Sequence, residues 1–471
     1  MNPRERRSFL LKMVQDSLKE MTFARALPDR ASVTSEGLRW NGILQEPPYF
    51  LLALGKGAPE MAAAMAELLP EHLFLGGLVV TKDGHGGLLM EKGHPWTLLA
   101  SFPQEAPPSP PPLVLRETAH PITDARAIAA AEEALHLLKN LPLRCTVIVL
   151  LSGGGSALFE LPRSPLTLED LDAANRLLVT CGASITEINC VRKHLSAVKG
   201  GGLLRHIFPR NCLSLLVSDV VGDPVDTIAS GPTSADPTTF GDALDVLRHY
   251  DLETTFPPRA LSLLREGHRA AAEDMDTPGF PRESLEETVK NTASFSVTTE
   301  VVLGNRALLE NLGRRLTQAG LHTLHLSTFV SGEAREVGRF LADVAREIRA
   351  SGKPAPLPAA VLTGGETVVT LRGKGRGGPN QETALAFAIA ARDLPGATLL
   401  SLDSDGTDGP TDAAGGITDG ASFARMYTAG IDPWKALADN DAYAALDAAG
   451  DLLRLGPTGT NLNDCRVLLV E

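Results

Sequence analysis

The stretch Cys145–Pro162, CTVIVLLSGGGSALFELP, decides the fold. Its first seven residues, CTVIVLL (145–151), are apolar and partly β-branched, with no polar alternation. Such a run reads as a strand buried on both faces, the pattern of a parallel sheet. Three glycines then stand at the carboxyl end of that strand. In open α/β sheets this is where ligands bind. Gly153, Gly154 and Gly155 would let backbone N–H groups close on an anion; a plain tight turn is the alternative. Ser152 and Ser156 add donors on both sides and favour the anion site. The chain contains neither GxxxxGK[ST] nor GxGxxG.

Outward from this stretch the same rhythm repeats. YFLLALG (49–55) reads as a strand and GAPEMAAAMAELL (57–69) as a helix. GGLVVT (76–81) is a further strand, and Asp124 precedes the helical run 125–140. LTLEDLDAANRLLVTC (166–181) is a helix opened by Thr167 with Asp170 three residues on, an acidic capping box. LSLLVS (213–218) is a strand running into Asp219. Strands alternating with helices imply α/β architecture, with a doubly wound, mostly parallel sheet. Residues 253–291 break the rhythm with FPP, DTPGFP and charge clusters, and it resumes from VTTEVVLG (297–304). The expectation is therefore a Rossmann-like N-terminal domain over 1–252, a connector over 253–291, and a smaller α/β C-terminal domain over 292–471. The last strand, CRVLLVE, is free to return to the N-terminal lobe. FPQEAPPSPPPL (102–113) reads as a proline-rich surface loop.

The chain has 471 residues, 43% of them hydrophobic, and a net charge of −13. That suffices for sizeable cores and argues against a nucleic-acid surface. Five cysteines, without CxxC, point to a reducing compartment, hence the cytoplasm. The amino-terminal segment is amphipathic and too interrupted for a secretory signal. No apolar run approaches the roughly 18 residues of a membrane span.

Several loops carry charge suited to phosphate. Lys56 stands between two glycines at a strand end. Arg192, Lys193, His194 and Lys199 crowd the stretch 185–203, which runs into GGG; a solvated basic face is the bland alternative. Asp219 directly follows a strand. RGKGRGG (372–378) is a flexible basic loop leading to Pro379, which fits the first turn of a helix whose N-terminus suits polyphosphate. Asp403, Asp405, Asp408 and Asp412 gather around glycines, where Mg²⁺ or a basic loop would relieve their repulsion. Basic glycine loops, an isolated lysine and acidic strand-end loops together fit phosphoryl transfer, which depends on electrostatic clamps and a divalent ion.

Taken in order, nine stretches resemble the class II glycerate kinase family, whose C-terminal region carries the MOFRL motif. They are GK (55–56), AHPITD (119–124), LSGGGSAL (151–158), EINCVRKHLSAVKGG (187–201) and SDVVGDPVDTIASGPT (218–233). TGGET (363–367), GKGRGGPNQE (373–382), DGTDGPTDAAGG (405–416) and TGTNLND (458–464) complete the set. The resemblance implies transfer of the γ-phosphate of ATP to D-glycerate, typically at the 2-hydroxyl, with Mg²⁺ as partner ion. From charge and apolar patterning the expected partners exclude nucleic acid and membrane, and a homodimer is possible. Some relatives are labelled hydroxypyruvate reductases, which would use NAD(P)H. The missing dinucleotide fingerprint weakens that alternative and leaves it open.

In this family a glycine-flanked lysine and an arginine of a GxGGRNQE loop line the active site. Lys56 matches the lysine. Pro379 stands where the arginine is expected, and Arg376 is the nearby cation that could serve. The expected catalytic set is Lys56, Asp219 and Arg376. Substrate and phosphate would be held by Ser152, Gly153, Gly154, Gly155, Ser156, Arg192, Lys193 and Lys199. From the later loop come Gly375, Gly377, Gly378, Asn380 and Glu382. Asp219, Asp405 and Asp408 are the expected metal ligands.

Overall fold

The computed structural model describes residues 1–90, 96–101, 111–273 and 285–471. Most of the proline-rich stretch (102–110) and residues 274–284 of the expected connector lie outside the described residues.

Seven strands form the first sheet: β1 (Tyr49–Leu54), β2 (Phe74–Lys82), β3 (Thr97–Leu99), β4 (Pro112–Thr118), β5 (Thr146–Leu151), β6 (Asn211–Val217) and β7 (Val297–Leu303). Their spatial order is β7-β6-β5-β1-β2-β4-β3. Every position of β1 and β5 is buried, as their unbroken apolar runs require. The two pair in parallel, Leu54 opposite Leu151. After β1 the chain builds one side of the sheet through β2 and β4; from β5 onward it builds the other. The strand order therefore reverses between β1 and β5, and a crevice opens beyond their carboxyl ends. Lys56 follows one of these strands and Ser152–Ser156 the other.

The sequence placed 297–304 in the C-terminal domain, yet β7 is an edge strand of this first sheet. Cys212 N donates to Ser296 O (2.8 Å) and Ser218 N to Leu303 O (2.8 Å), the progression of a parallel pair. The expected connector also differs. Its first half is a helix, Pro258–Glu273. Ala260, Leu263 and Leu264 bury one face of it against Leu178, Val191 and Leu247 from three other helices, so it is core. Its apolar residues at helical spacing outweigh the prolines that flank them. The helix 168–180 opens on the expected capping box, Thr167 with Asp170.

The second sheet is mixed: β8 (His322–Val330), β9 (Ala359–Gly365), β10 (Ala397–Asp403), β11 (Gly415–Asp419), β12 (Leu452–Leu453) and β13 (Asp464–Val470). The order is β8-β9-β13-β10-β11-β12. β8 and β9 are parallel, while β13 is antiparallel to both neighbours, β9 and β10. The last strand thus does not return to the N-terminal lobe. It sits inside the second sheet, with all seven positions buried.

The chain gathers into two compact units. One comprises Met1–Ala26, Ser218–Asp223 and Leu303–Glu471; the other comprises Leu27–Val217 and Pro224–Val302. These boundaries differ from a linear division at 252 and 292. The first helix, Pro3–Glu20, joins the second sheet, where Arg6 Nε donates to Thr398 Oγ1 (3.2 Å) and Arg7 pairs with Asp451 (2.5 Å). Among the described residues no helix is long and apolar enough to cross a membrane.

Candidate active site

In the unit that holds the parallel sheet, the two loops at the strand-order reversal are locked together. Ser152 N donates to Leu54 O (3.0 Å), Lys56 N to Gly153 O (2.9 Å) and Gly57 N to Ser152 Oγ (2.9 Å). Gly154 has φ +83°, and a Cβ there would lie 3.1 Å from His120 Cδ2 and 3.2 Å from Lys56 Cε. The glycine lets both side chains pass across the turn. Burial and the charge of Lys56 push His120 down to about 4, so the imidazole is neutral at neutral pH. Ser156 Oγ meets Ser230 Oγ (2.8 Å), which in turn donates to Asn189 Oδ1.

Beside this turn lies a hollow of about 560 Å³. Its walls include His120, Ile122, Ala157, Val179, Arg192 and Lys199. Arg192 Nε donates to Asn175 Oδ1 (2.7 Å), and burial lowers the guanidinium's pKa. Lys199 is almost wholly buried and paired with Glu160. Lys193 is turned inward, with Asp226 at 3.0 Å and Asp236 at 3.3 Å.

In the other unit the strand ends carry acids. Asp464 is a hub: it accepts from Asn380 Nδ2 (2.5 Å), Thr367 N (3.2 Å) and Arg466 Nη2. Asp403 lies directly across from it in the β10–β13 register. Burial, then the neighbours Asp405, Asp464 and Asp408, push Asp403 up to about 8. Glu366 is raised as well, by burial and by Asp464 and Asp219.

The helix Pro379–Ala390 begins at this edge with Pro379 in its first turn, as expected. Its N-terminus is already capped from a neighbouring loop. Asp408 accepts from Asn380 N (3.0 Å) and Gln381 N (2.9 Å), which satisfies backbone donors that have no partner inside the helix. A Cβ on Gly378 would fall 2.4 Å from Asp408 Cγ, so glycine is what admits the carboxylate.

The basic loop is clasped along its length. Gly373 N bonds Asn440 Oδ1 (3.0 Å), Gly375 N bonds Asp439 O (2.9 Å) and Arg376 N bonds Asp441 Oδ1 (3.1 Å). The Arg376 guanidinium stacks 4.4 Å from the Tyr443 ring centroid, and its Nε donates to Pro410 O (3.3 Å). Tyr443 Oη donates to Asp412 Oδ1 (2.6 Å), tying the acidic loop to the same ring.

The family profile for MOFRL matches residues 359–464, and one for a domain of unknown function, DUF4147, matches residues 9–265. A Pyrococcus horikoshii protein named glycerate 2-kinase is 38% identical over 98% of this chain and 96% of its own. The chain belongs to the MOFRL-type glycerate kinase family. A Thermotoga maritima protein named D-glycerate 2-kinase is 39% identical over 89% of this chain and 90% of its own. An Agrobacterium vitis relative, 37% identical over 89% of this chain and 86% of its own, carries a hydroxypyruvate reductase name only provisionally. A solved Pyrococcus horikoshii protein superposes with a TM-score of 0.81, covering 100% of this chain and 99% of its own at 37% identity. A Thermotoga maritima glycerate kinase structure also gives 0.81, with full coverage of both chains at 35% identity.

Against this family background the expected site residues sort by what they touch. Lys56, Gly153–Gly155, Ser156, Arg192 and Lys199 gather in the parallel-sheet unit; Asp219, Gly375–Gly378, Arg376, Asp405 and Asp408 lie in the other. Five expectations need correction, the first being Lys199, which is buried and spent on Glu160. Lys193 is spent on two aspartates. Asn380 is fully buried on Asp408, Asp464 and Ser401. Glu382 is buried between Arg335 (2.8 Å) and Asn440. Asp408 gives both oxygens to a helix terminus and is no free metal ligand, and the anion position expected for polyphosphate at that terminus is filled by this carboxylate. Burial decides each case, because a buried charge or amide must be satisfied within the protein. The basic loop, expected to be flexible, is tied down.

His120 and Asp464 escaped the residue-level reading although both stand in stretches that carry the family likeness. Tyr443 had no local signal, since its partners Asp412 and Arg376 lie 31 and more than sixty residues away in sequence. Among the described residues no three acidic, histidine or cysteine side chains form a cage for an ion. Mg²⁺ does not need one, because one or two carboxylates plus substrate phosphate oxygens hold it. Asp403 and Asp405, whose mutual repulsion a cation would relieve, fit that donor set.

Proposed function

We propose that this chain transfers the γ-phosphoryl group of ATP to the 2-hydroxyl of D-glycerate, giving 2-phosphoglycerate and ADP. The observation that carries this reading is the likeness, over nearly the whole chain, to proteins named glycerate 2-kinase. The position of Lys56 across the Gly154 turn supports it. The new bond joins the substrate hydroxyl oxygen to the γ-phosphorus, and the bond to the β-bridging oxygen breaks.

Lys56 places a point charge where phosphate oxygens gather negative charge. Neutral His120 keeps a second positive charge away from that lysine. Arg376, held by Tyr443, supplies the planar guanidinium that a phosphoryl group accepts in bidentate fashion. Asp219 takes the proton of the substrate hydroxyl. Asp403 and Asp405 would hold Mg²⁺, which neutralises charge on the phosphates when bound. Five unpaired cysteines suit the reducing cytoplasm, where we place the enzyme.

The test is ADP release from ATP, Mg²⁺ and D-glycerate, with the product resolved by ³¹P NMR. A 2-phosphoglycerate resonance is expected. A 3-phosphoglycerate resonance would refute the regiochemistry. Oxidation of NAD(P)H with hydroxypyruvate, without ADP release, would refute the kinase reading and favour the reductase.

A further inference from the structure

We propose that the hollow beside the Gly154 turn is the nucleotide subsite, taking the nucleoside end of a purine triphosphate with its phosphates toward Lys56. This rests on the kinase reading and adds to it which substrate the parallel-sheet unit holds. Three observations carry the assignment.

The first is size. At about 560 Å³ the hollow lies well inside the ~300–1,000 Å³ range of sites for drug-sized ligands. A three-carbon acid fills only a small part of such a space; a nucleotide fills several times more.

The second is the chemistry of the walls. Ile122 and Val179 are large apolar side chains that stand 70% and 61% exposed, and both line this hollow together with Ala157. Exposed aliphatic groups converging on one cavity suit a flat apolar ring. D-Glycerate, with a carboxylate and two hydroxyls on three carbons, has no surface to match them.

The third is an unspent cation. Arg192 is half-buried, and its only hydrogen bond among the described residues uses Nε. It forms no ion pair there, unlike Lys199 on Glu160 and Lys193 on two aspartates, and Glu160, already held by Lys199, is the carboxylate that acts on it from the same hollow. Burial without an ion pair is costly for a guanidinium unless an anion completes it. Its two terminal nitrogens present a fork suited to a phosphate. An amphipathic ligand, apolar at one end and polyanionic at the other, satisfies all three features.

The test is isothermal titration of the full-length protein with ADP, pyrophosphate and D-glycerate separately, in wild type and in Val179→Asp, Ile122→Asp and Arg192→Gln. Both aliphatic positions are exposed, so their variants should keep the wild-type melting temperature. Expected results are an ADP Kd at least tenfold weaker in each variant and a D-glycerate Kd changed less than twofold. Wild type should also bind ADP at least tenfold more tightly than pyrophosphate, because the apolar walls act on the base. If all three variants bind ADP like wild type, the subsite is misplaced while the kinase reading stands. If they lose D-glycerate instead, the hollow is the acid's site. If wild type binds no nucleotide and releases no ADP, the kinase reading itself fails.

Discussion

Replacing Tyr443 by leucine should slow the enzyme without unfolding it. Tyr443 is the platform for Arg376, 4.4 Å from guanidinium to ring centroid, and Arg454 covers the same ring at 5.6 Å. Arg376 is exposed, so the stacking contributes about 0.5–1 kcal/mol. The backbone clasp on Gly373, Gly375 and Arg376 survives the change, as does the bond from Arg376 Nε to Pro410 O. What is lost is the orientation of the guanidinium. If that orientation acts on the transferring phosphoryl, 0.5–1 kcal/mol converts to a kcat about two- to fivefold lower. KM for D-glycerate should hardly move. Tyr443→Phe keeps the ring but loses the bond to Asp412, and its kcat should stay within about twofold of wild type. The assay is steady-state ADP release at saturating ATP, with a thermal melt for each variant. If Arg376→Ala lowers kcat more than about tenfold while Tyr443→Leu leaves it unchanged, Tyr443 does not position the arginine. If Arg376→Ala has no effect, the role of Arg376 is wrong and Tyr443 has nothing to position.

Lys56→Ala should lower kcat/KM at least about tenfold, or roughly 1.4 kcal/mol; a smaller loss would remove Lys56 from the chemistry. Asp408→Ala leaves the buried N–H groups of Asn380 and Gln381 without an acceptor, and should cost about 2–4 kcal/mol. The urea midpoint for the second-sheet unit reads that loss, and an unchanged midpoint would show that water replaces the carboxylate. His120 has its pKa lowered from 6.5 to about 4 in the fold, so between these values the unfolded chain binds the extra proton. Stability is therefore full above about pH 6.5 and falls as pH drops toward 4. In His120→Asn that acid-side fall in melting temperature should shrink; equal falls in variant and wild type would assign the acid sensitivity elsewhere.

Much of the fold was legible because the strands of the first sheet are buried on both faces. Runs such as YFLLALG and CTVIVLL have no charged residue or polar alternation to confuse their reading, and the glycines after them mark the ligand edge. Thr167 with Asp170 announced a helix start by local chemistry alone. What the sequence could not show was which sheet a strand joins. VTTEVVLG reads as a strand wherever it pairs, and only the long-range bonds to β6 put it in the first sheet. The same limit explains the site. Lys193, Arg192 and Lys199 look alike on one basic stretch, yet two are spent on carboxylates far away in sequence and one is not. Charge is a local property; its neutralisation is not. Asp408 looked like a metal ligand among three other aspartates. Its role is set by the helix that begins at Pro379, which arrives from another part of the chain.

The position of β13 governs the order in which the second unit can assemble. β9 bonds it on one side and β10 on the other, along its whole length from Asp464 to Val470. During synthesis, β8 with β9 and β10 with β11 can form only as separate fragments, each with an unsatisfied edge, until residues 464–470 leave the ribosome. The first sheet has no such delay, since its last strand is complete at Leu303. A nascent chain should therefore carry one finished sheet from Leu303 onward, and a divided second sheet from Asp419 until the strand Asp464–Val470 is made. The open edges of β9 and β10 are where premature pairing between chains would start.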